Sequence, residues 1–291
     1  MASPALIATR PSYTLEVRGR RLTLGPRTLV MGIVNATPDS FSDGGSFAEA
    51  ERAVAHGLSL FEAGADVVDV GGESTRPGGA AVGPEEETRR VVPVIEGLRR
   101  RADGLVSVDT TKAQVARAAL DAGADLVNDV SGFRFDPELG PLVARCGVPA
   151  VVMHLRGDFE TMHLAPAYRD VMGEIAAELR ESLARATRAG LPPERLIVDP
   201  GIGFAKDANH SLEALRRLGE LHGLGRPILV GPSRKSFIGK VLELPASERL
   251  FGSAAAVAAC VLAGAHLVRV HDVREMLQVV RVCDAILGGA P

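Results

Sequence analysis

Eight times along the chain a short apolar run stops at a polar or glycine-rich signal, and a helix-like stretch follows. The runs are TLVMGIV, ADVVDV, LVSVD, DLVND, AVVMH, LIVD, PILVG and HLVRV. They end at Asn35, Gly71-Gly72-Glu73, Asp109, Asn128-Asp129, His154, Asp199, Ser233, and Arg269 with His271. Near-continuous apolar runs of this length suit parallel strands buried on both faces. Eight βα units in succession, with no obvious switch point, favour a single (β/α)8 TIM barrel of the α/β class. An open doubly wound sheet is the competing architecture. In such a barrel the chemistry gathers at the carboxyl ends of the strands, so one pattern suggests both a fold and the location of a site.

Internal similarity supports the repeat. EAGADVVDV, DAGADLVND and LAGAHLVRV share one design, and RCGVPAVVM is a looser copy. In each, a helix ends at a glycine suited to a left-handed cap (Gly64, Gly123, Gly264, Gly147), and a strand begins two residues later. Ahead of the first run, YTLEVRGRRLTLG alternates around Arg18-Gly19 and reads as a short N-terminal β-hairpin that could close the barrel bottom. Helix starts are expected at Ser46, at Pro84 and after Asp136-Pro137, and a fifth helix over about 167–189 before Gly190. The length of 291 residues suits one α/β barrel, which takes about 250 residues. No linker-like segment divides the chain. The expected organisation is a flexible N-terminal segment, 1–12, and a single domain, 13–291.

Composition narrows the partners. The formal charge of -3 gives no reason to expect nucleic acid or an anionic membrane. Three scattered cysteines, Cys146, Cys260 and Cys283, fit a reducing cytoplasm better than a disulfide framework. MASPALIATR lacks the pattern of a signal peptide. The longest apolar stretch, AAAVAACVLAGA, falls short of the roughly 20 residues that span a bilayer.

The strand ends carry the candidate chemistry. The loop over 35–45 is rich in hydroxyls, acids and glycines, and a plain solvated loop would look the same. The loop over 71–79 has glycines that permit close backbone approach, and Arg76 could grip an oxyanion. Two such loops on adjacent strands suggest mobile flaps over a site. Lys235 follows the seventh strand, and Arg269 and His271 alternate at the end of the eighth, so both face one way. Barrels often bind phosphate after strands seven and eight, so this cluster suggests a phosphorylated or pyrophosphorylated ligand. Lys235 alone could be a surface lysine, whereas a charged residue inside an apolar strand must find a partner. Asp109, Asn128 and Asp199 offer acceptors suited to a flat heterocycle with several N–H donors, or else bonds to local backbone. Met153 and Phe204 could line a ring slot or the core. There is no HExxH, CxxC, GxSxG or P-loop, and the histidines lack metal-ligand spacing.

MGIVNATPDSFSDGG (31–45), GGESTRPGG (71–79), SVDT (107–110), NDVSG (128–132), VMH (152–154), DPGIGF (199–204), GPSRKSFIG (231–239) and RVHDV (269–273) together closely resemble the ordered signatures of the dihydropteroate synthases, pterin-binding TIM-barrel enzymes. Departures are small: Ala36 stands where valine is commoner, Ile202 for a frequent phenylalanine, and Ala205 for a frequent glycine.

The resemblance implies a transferase of folate biosynthesis and a target of sulfonamides. It would condense 6-hydroxymethyl-7,8-dihydropterin pyrophosphate with 4-aminobenzoate by a dissociative route, giving 7,8-dihydropteroate and pyrophosphate. It implies catalytic roles for Asp109, Lys235, Arg269 and His271. Pterin contacts would come from Asp109, Asn128, Met153, Asp199, Phe204, Gly231, Lys235 and Arg269. Pyrophosphate contacts would come from Asn35, Thr75, Arg76, Arg269 and His271, with Asn35 as the Mg2+ ligand. The aminobenzoate pocket would use Pro38, Phe41, Thr75, Arg76, Pro77, Ser233 and Lys235. The family is usually homodimeric, with late helices at the interface. A corrinoid-linked methyltransferase with a similar pterin-binding barrel, or a non-catalytic pterin-binding paralogue, are the rival readings. The first would need neither the pyrophosphate cluster nor the two loops.

Overall fold

A tight turn joins the first two strands. β1 (Tyr13–Val17) and β2 (Arg20–Leu24) pair antiparallel through Arg18-Gly19. Both turn residues have positive φ, 53° and 68°, the twist that suits a two-residue hairpin. The computed structural model describes residues 10–37, 46–73, 81–158, 160–162 and 167–288.

The eight apolar runs become β3 (Leu29–Asn35), β4 (Val67–Gly71), β5 (Leu105–Asp109), β6 (Leu126–Asp129), β7 (Ala150–Met153), β8 (Leu196–Asp199), β9 (Leu229–Val230) and β10 (Leu267–Val270). Their order in the sheet is β8-β7-β6-β5-β4-β3-β10-β9, with all pairs parallel. A parallel bridge between Val198 and Ile228 joins the two ends, and Val198 N donates to Pro227 O at 2.9 Å. Neighbours in sequence are neighbours around the ring, which excludes the open doubly wound alternative. The outer layer is α1 (Ser46–Glu62), α2 (Pro84–Arg101), α3 (Ala113–Asp121), α4 (Leu139–Cys146), α5 (Val171–Arg188), α6 (Ala208–Arg216), α7 (Ser236–Leu242), α8 (Leu250–Leu262) and α9 (Val273–Ile286). Among the described residues no helix is long and apolar enough to cross a membrane.

The glycine caps form as the repeat predicts. Gly64, Gly123 and Gly264 have φ of 100°, 107° and 92°. At the first, Gly64 N donates to Phe61 O and Ala65 N to Leu60 O, the paired bonds that close a helix and turn the chain into the next strand. Side chains alternate across each strand. One set, including Val30, Val68, Val106, Val127, Val152 and Val268, packs outward against the helices. The other, including Met31, Val67, Leu126, Val151, Ile197, Leu229 and Leu267, fills the barrel bottom together with Leu15, Val17 and Leu24 of the hairpin. Burying each such side chain contributes about 1.5–3 kcal/mol. The hairpin is therefore the barrel's plug, and its apolar face is the floor on which the upper layers stand.

Three boundaries differ from expectation. The fifth helix starts at Val171, not near 167, because the amides of Arg169 and Asp170 donate to Glu174 Oε1 at 2.7 and 2.9 Å and cap the helix there. The helix after Asp136 starts only at Leu139; Asp136 Oδ1 accepts from Glu138 N (2.9 Å), while its Oδ2 accepts from Ala113 N at the start of α3 (2.7 Å). Arg10 and Pro11, expected in a flexible segment, are anchored. Arg10 donates to Thr28 Oγ1 (2.5 Å), Ala265 O (3.1 Å) and Asp284 Oδ1 (2.5 Å), and Pro11 O meets His266 Nε2 at 2.9 Å. Both side chains of the Arg10–Asp284 pair are 5% exposed, and Asp284 also accepts from Thr28 N at 2.7 Å. Removing one partner of a buried pair leaves a charge without compensation, at a cost of about 3 kcal/mol. Asp284→Ala is expected to lower the unfolding free energy by that amount in urea titration. A change under about 0.5 kcal/mol, the level of an ordinary surface substitution, would show that water compensates Arg10.

Candidate active site

Above the apolar floor the barrel lining turns polar. Asp69 and Ser107 are in register on β4 and β5, two residues beyond Val67 and Leu105 and on the same face. The next layer holds Asn35, Gly71, Asp109 and Asn128 in register across β3 to β6. From the other side of the ring, Arg269 of β10 reaches in. Its Nε donates to Asp69 Oδ2 at 2.6 Å and its Nη2 to Asp109 Oδ2 at 2.8 Å. Asn128 Nδ2 donates to the same Asp69 oxygen at 3.0 Å. Arg269 Nη1 carries no bond among the described residues. Gly231 lies beside it, where a Cβ would stand 3.7 Å from Arg269 Cβ.

Two carboxylates thus share one guanidinium. Burial pushes the Asp109 carboxyl up to about 7; Arg269 opposes the shift, and the charges of Asp69, Glu87 and Asp129 add to it. Burial likewise raises Asp199 to about 6, against the bond from Gly201 N to its Oδ1 (2.7 Å) and the charges of Lys235, Lys206 and Arg269. Lys235 is pushed down to about 8 by burial and by Arg269, against the pull of Asp199 and Asp109. Its Nζ sits 3.9 Å from the centroid of the Phe204 ring, a cation–π contact. Met153 packs with Val130, Leu155, Met162 and Ala205, and Phe204 lies against this cluster as the apolar wall of the site.

Ser233 and His271 form a pair: Ser233 Oγ is 3.1 Å from His271 Nδ1 and accepts from His271 N at 3.3 Å. Burial, then the charges of Arg269 and Arg234, push the ring down to about 4, against Asp272. At neutral pH His271 is uncharged, and it can present Nε2–H as a donor if Ser233 donates to Nδ1. His271 thus offers a hydrogen bond, and Arg269 the charge.

Asn35 is exposed at the end of β3. Pro38, Phe41, Thr75, Arg76 and Pro77 lie outside the described residues, as do most of the two loops expected to act as flaps. Glu73 stands at the edge of the second loop. Its Oε1 accepts from Val82 N at 2.8 Å and its Oε2 from Lys112 Nζ at 2.7 Å, so one side chain ties both described ends of that loop. Among the described residues no group of three His, Cys, Asp or Glu could hold a metal ion.

Sequence reading missed two groups. Asp69, 0% exposed, was hidden within ADVVDV, although the argument applied to Arg269, a charge inside an apolar strand, applies to it equally. The second is a chain of charges at the rim: Lys206, His154, Glu178, Arg156 and Glu174. No local signal marks it, since its members come from three separate segments.

Comparison with known proteins identifies the chain's relatives. A family model described as pterin binding enzyme matches residues 31–271. A dihydropteroate synthase from Synechocystis sp. (strain PCC 6803) is 48% identical over 263 residues, covering 90% of this chain and 91% of that protein. The structure of Xanthomonas albilineans dihydropteroate synthase with 4-aminobenzoic acid matches with a TM-score of 0.89 at 46% identity, covering 97% of this chain and all of that one. The same organism's enzyme in complex with 7,8-dihydropteroate matches with a TM-score of 0.86 at 44% identity, covering 96% and 100%.

The state of His271 can be read directly. Ring resonances followed by NMR are expected to titrate near pH 4 in the free protein and to move upward when magnesium pyrophosphate is added, because an anion favours the charged ring. A midpoint near the ordinary 6.5 in the free protein would place the ring in water and remove it from the site.

Proposed function

The chain belongs to the pterin-binding enzyme family, and on that basis we propose that it condenses 6-hydroxymethyl-7,8-dihydropterin pyrophosphate with 4-aminobenzoate. The products are 7,8-dihydropteroate and pyrophosphate, a step of folate biosynthesis. One observation carries the reading beyond kinship: a polar layer inside the barrel in which Arg269 is held between Asp69 and Asp109, beside Asn128.

In this reading the guanidine-like edge of the pterin donates to Asn128 and Asp199, whose oxygens line the strand ends. Phe204 and Met153 bear on the ring face, and Lys235 reaches across Phe204 to the aminobenzoate side. The bond between the pterin methylene carbon and the pyrophosphate oxygen breaks, and the oxygen keeps the electron pair. Asp109 stabilises the positive charge left on the pterin. Arg269, through Nη1, and His271, through a ring N–H, meet the charge growing on the pyrophosphate. The aminobenzoate nitrogen then bonds to the methylene carbon and gives up a proton to water or pyrophosphate. An aromatic amine attacking a cation needs no strong base, which fits the lack of an obvious nucleophile–base pair at the strand ends.

Asn35 would hold Mg2+. A single neutral amide oxygen suits a hard cation that keeps several waters and takes other ligands from substrate phosphates. Bound there, the ion would neutralise part of the leaving group's charge. Thr75 and Arg76 would add pyrophosphate contacts, and Pro38, Phe41, Thr75, Arg76, Pro77 and Ser233 the rest of the aminobenzoate pocket. A homodimer is supported by exposed apolar side chains on the late helices: Val241, Leu242, Phe251, Val282 and Ile286. The three free cysteines support a cytoplasmic location.

The test is product analysis. The purified protein, given the pterin pyrophosphate, Mg2+ and 4-aminobenzoate, is expected to form dihydropteroate and release pyrophosphate. A folded protein that makes no dihydropteroate overturns the reading. Asp109→Asn is expected to slow turnover about a hundredfold, the loss of about 3 kcal/mol of transition-state stabilisation. The free enzyme should not lose stability at pH 8. The folded carboxyl keeps its proton up to about pH 7 and an unfolded one only to about 3.8, so ionised Asp109 costs stability above pH 7, and that cost is relieved as pH falls. Near-normal turnover by the folded variant excludes the role. Lys235→Ala is expected to weaken 4-aminobenzoate and sulfonamide binding about tenfold, about 1.4 kcal/mol. Wild-type affinity for both in calorimetry would make Lys235 a bystander.

A further inference from the structure

The segment between β8 and α6 is folded around an ammonium group. Lys206 is 6% exposed, and its Nζ lies 3.1 Å from Gly201 O, 3.0 Å from Phe204 O and 2.8 Å from His154 Nδ1. His154 is held from its other side, with Nε2 at 3.0 Å from Glu178 Oε2. Arg156 in turn pairs with Glu178 and Glu174. Burial and the charge of Lys206 push the His154 ring down to about 4, against the pull of Glu178. A neutral imidazole that donates Nε2–H to a carboxylate presents a lone pair at Nδ1. Protonated Lys206 therefore directs its three protons at three acceptors.

The backbone it grips turns through the left-handed region, freely at Gly201 and Gly203 but at a cost at Ala205. Gly201, Gly203 and Ala205 have φ of 66°, 78° and 46°, and the left-handed region costs a residue with a Cβ about 1 kcal/mol or more. A Cβ on Gly201 would collide with the His154 carbonyl. Tyr168 donates its hydroxyl to Ala205 O at 3.0 Å. The segment carries two site residues: Asp199 at its start, tied to Gly201 N, and Phe204, seated under Lys235.

We infer that Lys206 is a positioning residue for the pterin: its ammonium, bonded to Gly201, Phe204 and His154, holds the loop after β8 in the shape that seats Phe204 and Asp199 against the ring. This rests on the reading of the site given above. Lys206 touches neither substrate. It acts through the curvature of five residues, and only while charged, since the amine has two protons for three acceptors. Burial lowers its pKa to about 7; Asp199 and Glu178 favour the charged form, and Arg156 and Lys235 oppose it. Below that pH the loop is fully bonded, and above it one acceptor loses its donor. A pterin that binds the fully bonded loop must raise the lysine's midpoint in return.

Lys206 is one of four lysines in the chain, with Lys112, Lys235 and Lys240, so its ε-13C resonance in lysine-labelled wild-type enzyme is resolvable. Its midpoint is expected near neutral pH and to rise by about one unit when a non-reactive pterin binds. Lys206→Met is expected to raise the KM for the pterin pyrophosphate about tenfold or more with kcat within about threefold, the signature of lost uniform binding. Lys206→Arg, which keeps the charge, should recover part of the affinity and move the alkaline limb of kcat/KM upward. Dihydropteroate formation by the wild type reports on the functional reading, and the lysine midpoint and the KM report on this inference, so the two fail separately. A midpoint that pterin does not move, or a folded methionine variant with wild-type KM, overturns the positioning role. If the methionine variant does not fold, the wild-type titration alone decides.

Discussion

Arg269 places a guanidinium inside the barrel, with its side chain 21% exposed. Taking such a charge out of water costs several kcal/mol unless partners meet it with good geometry. Asp69 and Asp109 meet it from β4 and β5, and Asn128 braces Asp69 from β6. The four side chains tie one half of the ring to the other through its interior. This is possible only because the layer beneath is wholly apolar and sealed by the hairpin's Leu15, Val17 and Leu24. A wet floor would screen the ion pairs and let the side chains relax toward water. The order of layers, apolar plug below and charged lining above, is thus one constraint seen from two sides.

A second set of charges repeats the principle at the rim. Lys206, His154, Glu178, Arg156 and Glu174 alternate donor and acceptor from the loop after β8 to the outer face of α5. Its outer end is exposed enough for water to weaken the pairs, while its inner end is buried and structural. The two sets act on each other at Asp199, which feels Lys235, Lys206 and Arg269 together. Asp199 feels all three cations and Asp109 feels Arg269, so the protons on these two carboxyls and on the two lysines set the charge balance of the barrel interior.

What the sequence revealed, and what it hid, follows the range of the interactions. The glycine caps at Gly64, Gly123 and Gly264 rest on bonds within six residues and were legible. So was the hairpin turn at Arg18-Gly19, and so were the polar strand ends Asp109, Asn128 and Asp199, because the barrel fixes where a strand's last residue points. Asp69 was hidden in plain view: as the third residue of β4 it points inward as Val67 does, and only closure of the ring shows that Arg269 waits opposite. The bond between Lys206 and His154 spans 52 residues of sequence, and the anchoring of Arg10 by Asp284 spans 274. Neither leaves a local trace, so Arg10 and Pro11 gave no sign in the sequence that they bond to Asp284 and His266.

The raised carboxyls give these parts a common purpose. Asp109 and Asp199 sit in the barrel with their charged forms disfavoured, at about 7 and about 6, so the barrel interior is strained in an electrostatic sense. A ligand that brings N–H donors to Asp199 and a developing positive charge to Asp109 relieves that strain where the reaction creates charge. Arg269 gains in the same way on its free edge, since an oxyanion at Nη1 adds a partner without displacing Asp69 or Asp109. In the proposed reaction, relief would be greatest when the pterin is cationic and the pyrophosphate has just parted from it. An environment that fits neither the free enzyme nor the intact substrate as well as that separated pair lowers the barrier between them. The cost of burying Asp109, carried by the hydrophobic floor and the closed ring, is in this sense what the fold contributes to the chemistry.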